Sequence, residues 1–146
     1  MNDDIRIQKA KLEDASSLAI LSNQLGYPTS EDEIRKRLPT IQSMQDQALF
    51  VAVSPEKNIL GWIHVLMSYR LVVDPFAELG GLVVADAYRG RGIGKLLLTR
   101  AEEWARERGI NFFRIRARST REGAHHFYIK MGYQLWKDQK VFEKQL

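Results

Sequence analysis

The feature that most constrains this chain is an apolar strand, a glycine-rich turn and a helix in direct succession over residues 82–97. The first backbone N–H groups of a helix have no intrahelical acceptor, and the helix dipole adds partial positive charge there. Glycines leave these groups unobstructed, so such a helix start stabilises an anion, often a phosphate. Arginine and lysine side chains add formal charge at the same place. The residues of the predicted anion site are Arg89, Gly90, Arg91, Gly92, Ile93, Gly94 and Lys95, which follow the strand residues Leu82, Val83 and Val84.

The spacing of the glycines argues against two common phosphate ligands. A dinucleotide fingerprint needs G-x-G-x-x-G, whereas the glycines from Gly90 to Gly94 follow a G-x-G-x-G rhythm. A P-loop needs a hydroxyl residue after its Gly-Lys pair and an earlier glycine, but the chain has Leu96 and Arg89 at those positions. NAD and nucleoside triphosphates are therefore disfavoured. Glycines after a strand also form plain tight turns, so a solvated basic loop is the alternative at this point.

The composition and the N-terminal residues lead us to expect one compact domain without a targeting segment. The 146 residues, 45% of them hydrophobic, can form one core, and we expect a single domain over residues 1–146. Because the chain has no cysteine, disulfides, thiolate metal sites and an acyl-cysteine intermediate are excluded. Asp3 and Asp4 precede the first strand, and no apolar run approaches the roughly 20 residues of a membrane span. We expect a cytoplasmic protein with no membrane partner and no metal, whose net charge of +4 favours an acidic ligand.

The hydrophobic periodicities predict an α/β fold with one mixed sheet. Ser30 and Glu33 form a capping box for a helix that Pro39 is expected to end or bend. The strand over residues 76–84 carries Gly80-Gly81, where we expect a β-bulge or a close backbone approach. The other predicted elements are strands at 5–7, 48–53, 59–69, 111–117, 133–136 and 141–143, and helices at 13–25, 92–108 and 124–131, the last with a capping box at 119–122.

Two short motifs carry a family resemblance. Arg89, Gly92 and Gly94 form Arg-x-x-Gly-x-Gly after a Leu-x-Val strand, which closely resembles the acetyl-CoA pyrophosphate loop of the GNAT N-acetyltransferases. The segment from Ala124 to Tyr128 is similar to the Ala-x-x-x-Tyr signature of the same family. The resemblance extends from Ala48 to Trp136. It implies a single-domain GNAT-like fold: a mixed, mostly antiparallel sheet with a splayed parallel strand pair and helices on both faces.

The resemblance also implies the reaction and its cosubstrate. Acetyl-CoA would donate an acetyl group to an amine by direct attack in a ternary complex. Such a transfer needs a held thioester, a neutral amine, a stabilised oxyanion and a proton for the departing thiolate. By resemblance, the strands at 76–84 and 111–117 would splay and expose backbone groups to the pantetheine arm. A backbone N–H of Leu82 or Val83 would then face the thioester carbonyl.

Two side chains are the predicted catalytic residues. The resemblance makes Tyr128 the general acid, because a phenol pKa of roughly 10 is close enough to the roughly 8.5 of a thiol to protonate a leaving thiolate. A core tyrosine is the alternative, since Tyr128 lies on an apolar stripe. The resemblance also makes Glu78 the predicted general base, acting directly or through water, because its place in the strand before the loop is similar to that of a glutamate in some family members. His64 and Tyr69 on the neighbouring strand are second choices. The alternative for Glu78 is a strand-edge glutamate in solvent.

The acceptor and the partners are less constrained. A small-molecule amine is predicted, and a peptide or protein amine and a non-catalytic CoA-binding module are the alternatives. Nucleic acid is disfavoured because the basic segments lack the interleaved aromatic residues of a single-strand-binding surface. His125 and His126 are adjacent on a helix and point in different directions, so we predict no metal site there. A homodimer is left open.

Overall fold

The computed structural model describes residues 4–118 and 122–146. The contacts group the chain into two compact units, one ending at Ile115 and the other beginning at Arg116. In the first unit the elements are β1 (Arg6–Lys9), α1 (Ala15–Leu25), α2 (Glu31–Ser43), β2 (Gln47–Val53), β3 (Ile59–Arg70), β4 (Val73–Val84), α3 (Ile93–Glu107) and β5 (Phe113–Arg114), and the second unit contains α4 (Glu122–Lys130).

The strands of the first unit form one mixed sheet in the order β1-β2-β3-β4-β5. The first four strands pair antiparallel, and β4 and β5 pair parallel. The parallel ladder consists of two residue pairs, Ala77 with Phe113 and Glu78 with Arg114. The predicted mixed, mostly antiparallel α/β sheet is therefore confirmed. The predicted strand at 111–117 is much shorter than expected.

Helices cover both faces of this sheet. Successive strand residues point to opposite faces, so the contacts of Phe50 and Val51 in β2 show which helices pack on each face. Val51 lies in a buried cluster with Leu18 of α1 and Leu38 of α2. On the other face, the guanidinium of Arg100 in α3 stacks over the Phe50 ring, 4.6 Å from its centroid. The arrangement confirms the expected two layers of helices around the sheet.

The helix ends follow the local sequence with one exception. Ser30 and Glu33 form the predicted capping box, with reciprocal backbone-to-side-chain hydrogen bonds of 3.0 and 3.1 Å. Gly26 closes α1 with a positive φ of 98°. Of the two effects expected of Pro39, an end or a bend, the first does not occur, because α2 continues to Ser43. The neighbouring Leu38 is completely buried, and its packing outweighs the backbone hydrogen bond that proline removes.

The second unit contains less regular structure than the sequence predicts. The capping box predicted at 119–122 involves residues 119–121, which lie outside the described residues. The strands predicted at 133–136 and 141–143 are not among the elements of residues 122–146. Alternation of apolar and polar residues defines a face, but a strand also needs a hydrogen-bonded neighbour. Within the described part of the chain, no helix has the length and apolar composition needed to cross a bilayer.

Candidate active site

A β-bulge interrupts β4 at the position predicted from its paired glycines. His64 of β3 lies opposite Gly81, and the next residue, Val65, lies opposite Leu79, so Gly80 is the extra residue. A bulge leaves the extra residue out of the ladder and bends the strand. The bulge begins two residues after Glu78, where the recorded pairing of β4 with β5 ends. Gly80 is exposed, so its backbone is open to a ligand.

The two glycines of the bulge leave room for two rings of β3. A Cβ atom on Gly80 would lie 2.6 Å from Nδ1 of His64, and one on Gly81 would lie 2.7 Å from the Trp62 ring. Such distances are too short for any real Cβ contact, so larger residues would displace the rings or the strand. The glycines are therefore required by close approach, as their position in a strand suggested.

The turn after β4 leads directly into the exposed start of α3. Gly90 and Gly92 have positive φ angles of 77° and 82°, which other residues rarely adopt. Gly92 is the N-cap of α3 and has no side chain to cap the first helical N–H groups. The helix's first turn closes through the N–H of Leu96 donating to the carbonyl oxygen of Gly92 at 3.1 Å. The backbone of this loop has the form expected of an anion-binding helix start.

The three basic residues of the loop have two roles: Arg89 stabilises the turn, and Arg91 and Lys95 are exposed to solvent. Arg89 forms an ion pair of 2.9 Å with Asp86, and its Nε donates to the carbonyl oxygen of Val84 at 3.3 Å. It therefore holds the turn in shape in addition to contributing charge. The Arg91 guanidinium stacks on Tyr88, 5.1 Å from the ring centroid. Arg91 and Lys95 are exposed at the loop and the first turn of α3.

A second contact fixes the loop from a distant element. The Oε1 atom of Gln24 in α1 accepts a hydrogen bond of 3.0 Å from the backbone N–H of Asp86, 62 residues later. The sequence contains no signal for this contact, because it joins positions that only the folded chain brings together. Gln24 is therefore a loop-supporting residue that sequence reasoning missed.

Glu78 lies mostly buried on β4, next to an arginine. Its side chain is 12% exposed, and its Oε1 lies 3.7 Å from Nη2 of Arg70. The Nε of Arg70 donates to the hydroxyl of Ser68 at 3.0 Å, which helps to orient the guanidinium. A buried carboxylate beside a guanidinium differs from the strand-edge glutamate in solvent that was the alternative for this residue. Sequence reasoning did not identify Arg70, since only the β3–β4 pairing brings it near Glu78.

His64 shares a sheet face with Glu78. Leu66 of β3 lies opposite Glu78, and His64 is two residues earlier on the same strand and thus on the same face. The Nε2 atom of His64 lies 2.8 Å from Oε1 of Gln47 on β2. Burial lowers the pKa of His64 below its ordinary value, so the neutral imidazole is favoured. Tyr69, the other second choice, is 63% exposed.

The predicted acid lies in the second unit. Tyr128 is half-buried on α4 and makes edge contacts with the rings of Phe127 and Tyr133, at centroid distances of 5.3 and 6.3 Å. The helix ends at Lys130, and Gly132, two residues later, has a positive φ of 93°. His125 is engaged with the carbonyl oxygen of Arg118 at 2.8 Å. The apolar stripe of α4 is thus formed as the sequence indicated.

Two curated relatives resemble this chain in sequence. Over 91 residues it is 32% identical to the streptothricin acetyltransferase of Streptomyces lavendulae, a match that covers 60% of this chain and 45% of that protein. Over 133 residues it is 28% identical to the aminoalkylphosphonate N-acetyltransferase of Salmonella typhimurium, which covers 87% of this chain and 83% of that protein. The chain therefore spans less than half of the first relative and most of the second.

The fold and the family model lead to the same assignment. A solved aminoglycoside N-acetyltransferase in complex with CoA is similar with a TM-score of 0.85, 17% identity, and coverage of 97% of this chain and 95% of that one. At this identity the likeness concerns the fold alone. The model of the acetyltransferase (GNAT) family matches residues 14–133. Since that match takes in most of the chain, including the bulged strand and the glycine-capped helix, the chain belongs to the acetyltransferase (GNAT) family.

Proposed function

We propose that this protein transfers an acetyl group from acetyl-CoA to the amine of a small molecule. The observation that carries the proposal is the glycine-capped start of α3 directly after the bulge of β4. The first feature is suited to a pyrophosphate, and the second provides exposed backbone beside two ionisable side chains. Family membership supports the same reaction class.

The acetyl donor is assigned to the loop and the end of β4. The uncapped N–H groups from Ile93 to Lys95, with the charges of Arg91 and Lys95, bind the pyrophosphate. Arg89 keeps the turn in the required conformation through Asp86. A backbone N–H of Leu82 or Val83 faces the thioester carbonyl and stabilises the negative charge that develops on its oxygen. Acetyl-CoA is a cosubstrate in this scheme.

The chemistry is direct attack of a neutral amine on the thioester. Glu78 removes a proton from the substrate ammonium, directly or through water, which frees the nitrogen lone pair. The nitrogen bonds to the carbonyl carbon and gives up a second proton, which ends in water, while the C–S bond breaks and its electron pair leaves with sulfur. Tyr128 donates the proton that the thiolate accepts. Replacing Tyr128 with Phe should lower kcat about 10²-fold with little change in acetyl-CoA affinity, and wild-type turnover would exclude the acid role.

The two relatives support a small-molecule acceptor. One is named for streptothricin and the other for aminoalkylphosphonates, and both names describe acetylation of amines that are not proteins. The second match covers most of both chains, which makes it the more informative one. The cytoplasmic location and a homodimer stay predictions from the sequence.

A thiol-release screen tests the proposal. Acetyl-CoA is incubated with the protein and a panel of aminoalkylphosphonates, basic antibiotics, polyamines and peptides with free amines, and released CoA is measured. We expect turnover with a small-molecule amine and none with the peptides. Turnover with peptides alone would overturn the small-molecule assignment. Tight acetyl-CoA binding in calorimetry with no turnover on any amine would identify a non-catalytic CoA-binding module instead.

A further inference from the structure

The side-chain amide of Gln47 has its orientation set by two contacts. Its Nε2 lies 3.1 Å from the thioether sulfur of Met44, and its Oε1 lies 2.8 Å from Nε2 of His64. A thioether sulfur accepts hydrogen bonds but cannot donate one. If the amide were rotated by 180°, its oxygen would face that sulfur and the contact would be lost. The amide oxygen therefore faces His64.

This orientation determines which nitrogen of His64 carries the proton. An amide oxygen only accepts, so Nε2 of His64 must be the N–H donor in the 2.8 Å contact. In the neutral ring the lone pair is then on Nδ1. Nδ1 is also the atom closest to the place where a Cβ of Gly80 would be, at 2.6 Å. The basic nitrogen of the imidazole thus lies beside the exposed backbone of the bulge.

Burial, and not the surrounding charges, favours the neutral form of His64. Its contact on β2 is the uncharged Gln47, and the segment of α1 from Ala15 to Leu25 contains no ionisable side chain. On β4, the carboxylate of Glu78 shares the face and has Arg70 beside it. The helix α3 packs on the opposite face. Burial, which lowers the pKa of His64, leaves the ring ready to accept a proton at neutral pH.

We propose that His64 is a further catalytic residue, and that Gln47 is a positioning residue that holds its tautomer; this rests on the proposed acetyl transfer. The amine loses two protons during the reaction. Glu78 takes the first, when the ammonium becomes a neutral amine. As the C–N bond forms, the nitrogen becomes positively charged, and Nδ1 of His64 takes the second proton. The imidazolium and the protonated Glu78 then release their protons to water; one of the two replaces the proton that Tyr128 gave to the thiolate, and the other stays in solvent.

The pH dependence of kcat separates this role from a structural one. His64 must be neutral, so activity falls as the pH decreases through its pKa. In Gln47→Glu, a carboxylate next to the Nε2–H stabilises the imidazolium and raises that pKa. We expect the fall of kcat at low pH, which is the acid limb of the profile, to occur at higher pH in this variant than in the wild type. In His64→Gln the same limb should be absent, with kcat about 10²-fold lower and the acetyl-CoA affinity unchanged.

A matched control and a spectroscopic readout complete the test. His126→Gln changes an exposed histidine of α4 and should leave the profile as in the wild type. Independently of activity, ¹⁵N NMR of the wild type should show the Nε2–H tautomer of His64, and Gln47→Leu should reduce its population. An active wild type whose acid limb persists in His64→Gln and does not move in Gln47→Glu would overturn the role of His64 alone. A wild type that acetylates no amine would overturn the proposed function.

Discussion

The loop before α3 and the bulge of β4 are close in sequence but are built in different ways. The loop depends on its backbone: glycines with positive φ angles leave the helix start open, and the side chains of Arg91 and Lys95 are exposed. The bulge depends on side chains from neighbouring strands, with the ring of His64 against Gly80 and Gln47 behind that ring. An anion site needs mainly local conformation, whereas proton transfer needs groups from several strands at defined distances. The comparison predicts that changes in the bulge affect kcat and changes in the loop affect donor affinity.

The largest expected effect is on turnover, through Glu78. Glu78→Gln keeps the shape of the side chain but removes its basicity, so kcat should fall about 10²-fold. The dissociation constant for acetyl-CoA should stay the same, because the loop is unaltered. Steady-state kinetics and calorimetry measure the two quantities. Glu56→Gln, in the exposed turn between β2 and β3, is the control, and full turnover of Glu78→Gln would remove the carboxylate from the mechanism.

The next test adds one methyl group inside the bulge. In Gly80→Ala the new Cβ would collide with the His64 ring, so the free energy of unfolding should fall by about 1–3 kcal/mol. Because the ring is displaced, kcat should also decrease about tenfold. Gly123→Ala is the control, because its added Cβ meets nothing within 4 Å. Adding His64→Ala to Gly80→Ala should restore stability in urea unfolding but not kcat. If stability is not restored, the collision is not the cause.

A substitution in the loop should produce the opposite pattern. Gly92→Val forces a β-branched residue into a left-handed conformation, which costs about 1–2 kcal/mol and should weaken acetyl-CoA binding about tenfold. At saturating acetyl-CoA, kcat should be nearly unchanged. Gly109→Val is the matched control, since Gly109 has a φ of 74° and open space around it but lies beyond the other end of α3. Equal acetyl-CoA affinity in both variants would contradict the loop assignment.

The smallest effect is expected from a single exposed charge. Lys95→Ala should weaken acetyl-CoA binding about threefold at low salt, because a solvent-exposed ion pair contributes roughly 0.2–1 kcal/mol. The difference from the wild type should shrink as ionic strength rises. Calorimetry at several salt concentrations measures this, with Lys36→Ala on α2 as the control. A salt-independent difference would indicate a packing role for Lys95.

The same contrast explains what could be predicted from the sequence. The glycine rhythm at 90–94 and the capping box of Ser30 and Glu33 depend on neighbouring residues, so the pattern predicts the structure directly. The paired glycines of β4 predicted the bulge because few other features place two glycines inside a strand. The family assignment followed from the same local motifs.

The residues that sequence reasoning missed are those whose role depends on distant neighbours. Gln24, Gln47 and Arg70 each act through a partner that the sheet or a helix brings near, and their types carry no signal of their own. The strands predicted at 133–136 and 141–143 rested on short segments with apolar residues, and such a segment alone does not provide a pairing partner. Pro39 is the opposite case, in which a local signal was misleading. Proline disfavours the helix interior, but burial of the neighbouring Leu38 stabilises α2 by more than proline destabilises it.

The hydrogen bond from Asp86 to Gln24 has a thermodynamic consequence. It joins the turn before the glycine-rich loop, the loop proposed to bind acetyl-CoA, to α1, a helix that covers the sheet face shared by His64 and Glu78. An acceptor that shifts α1 therefore changes the conformation available to the loop, and a donor that orders the loop restrains α1. By linkage, each substrate must then change the affinity for the other by the same factor. The two substrates would bind as a coupled pair, with the coupling strength set in part by one glutamine side chain.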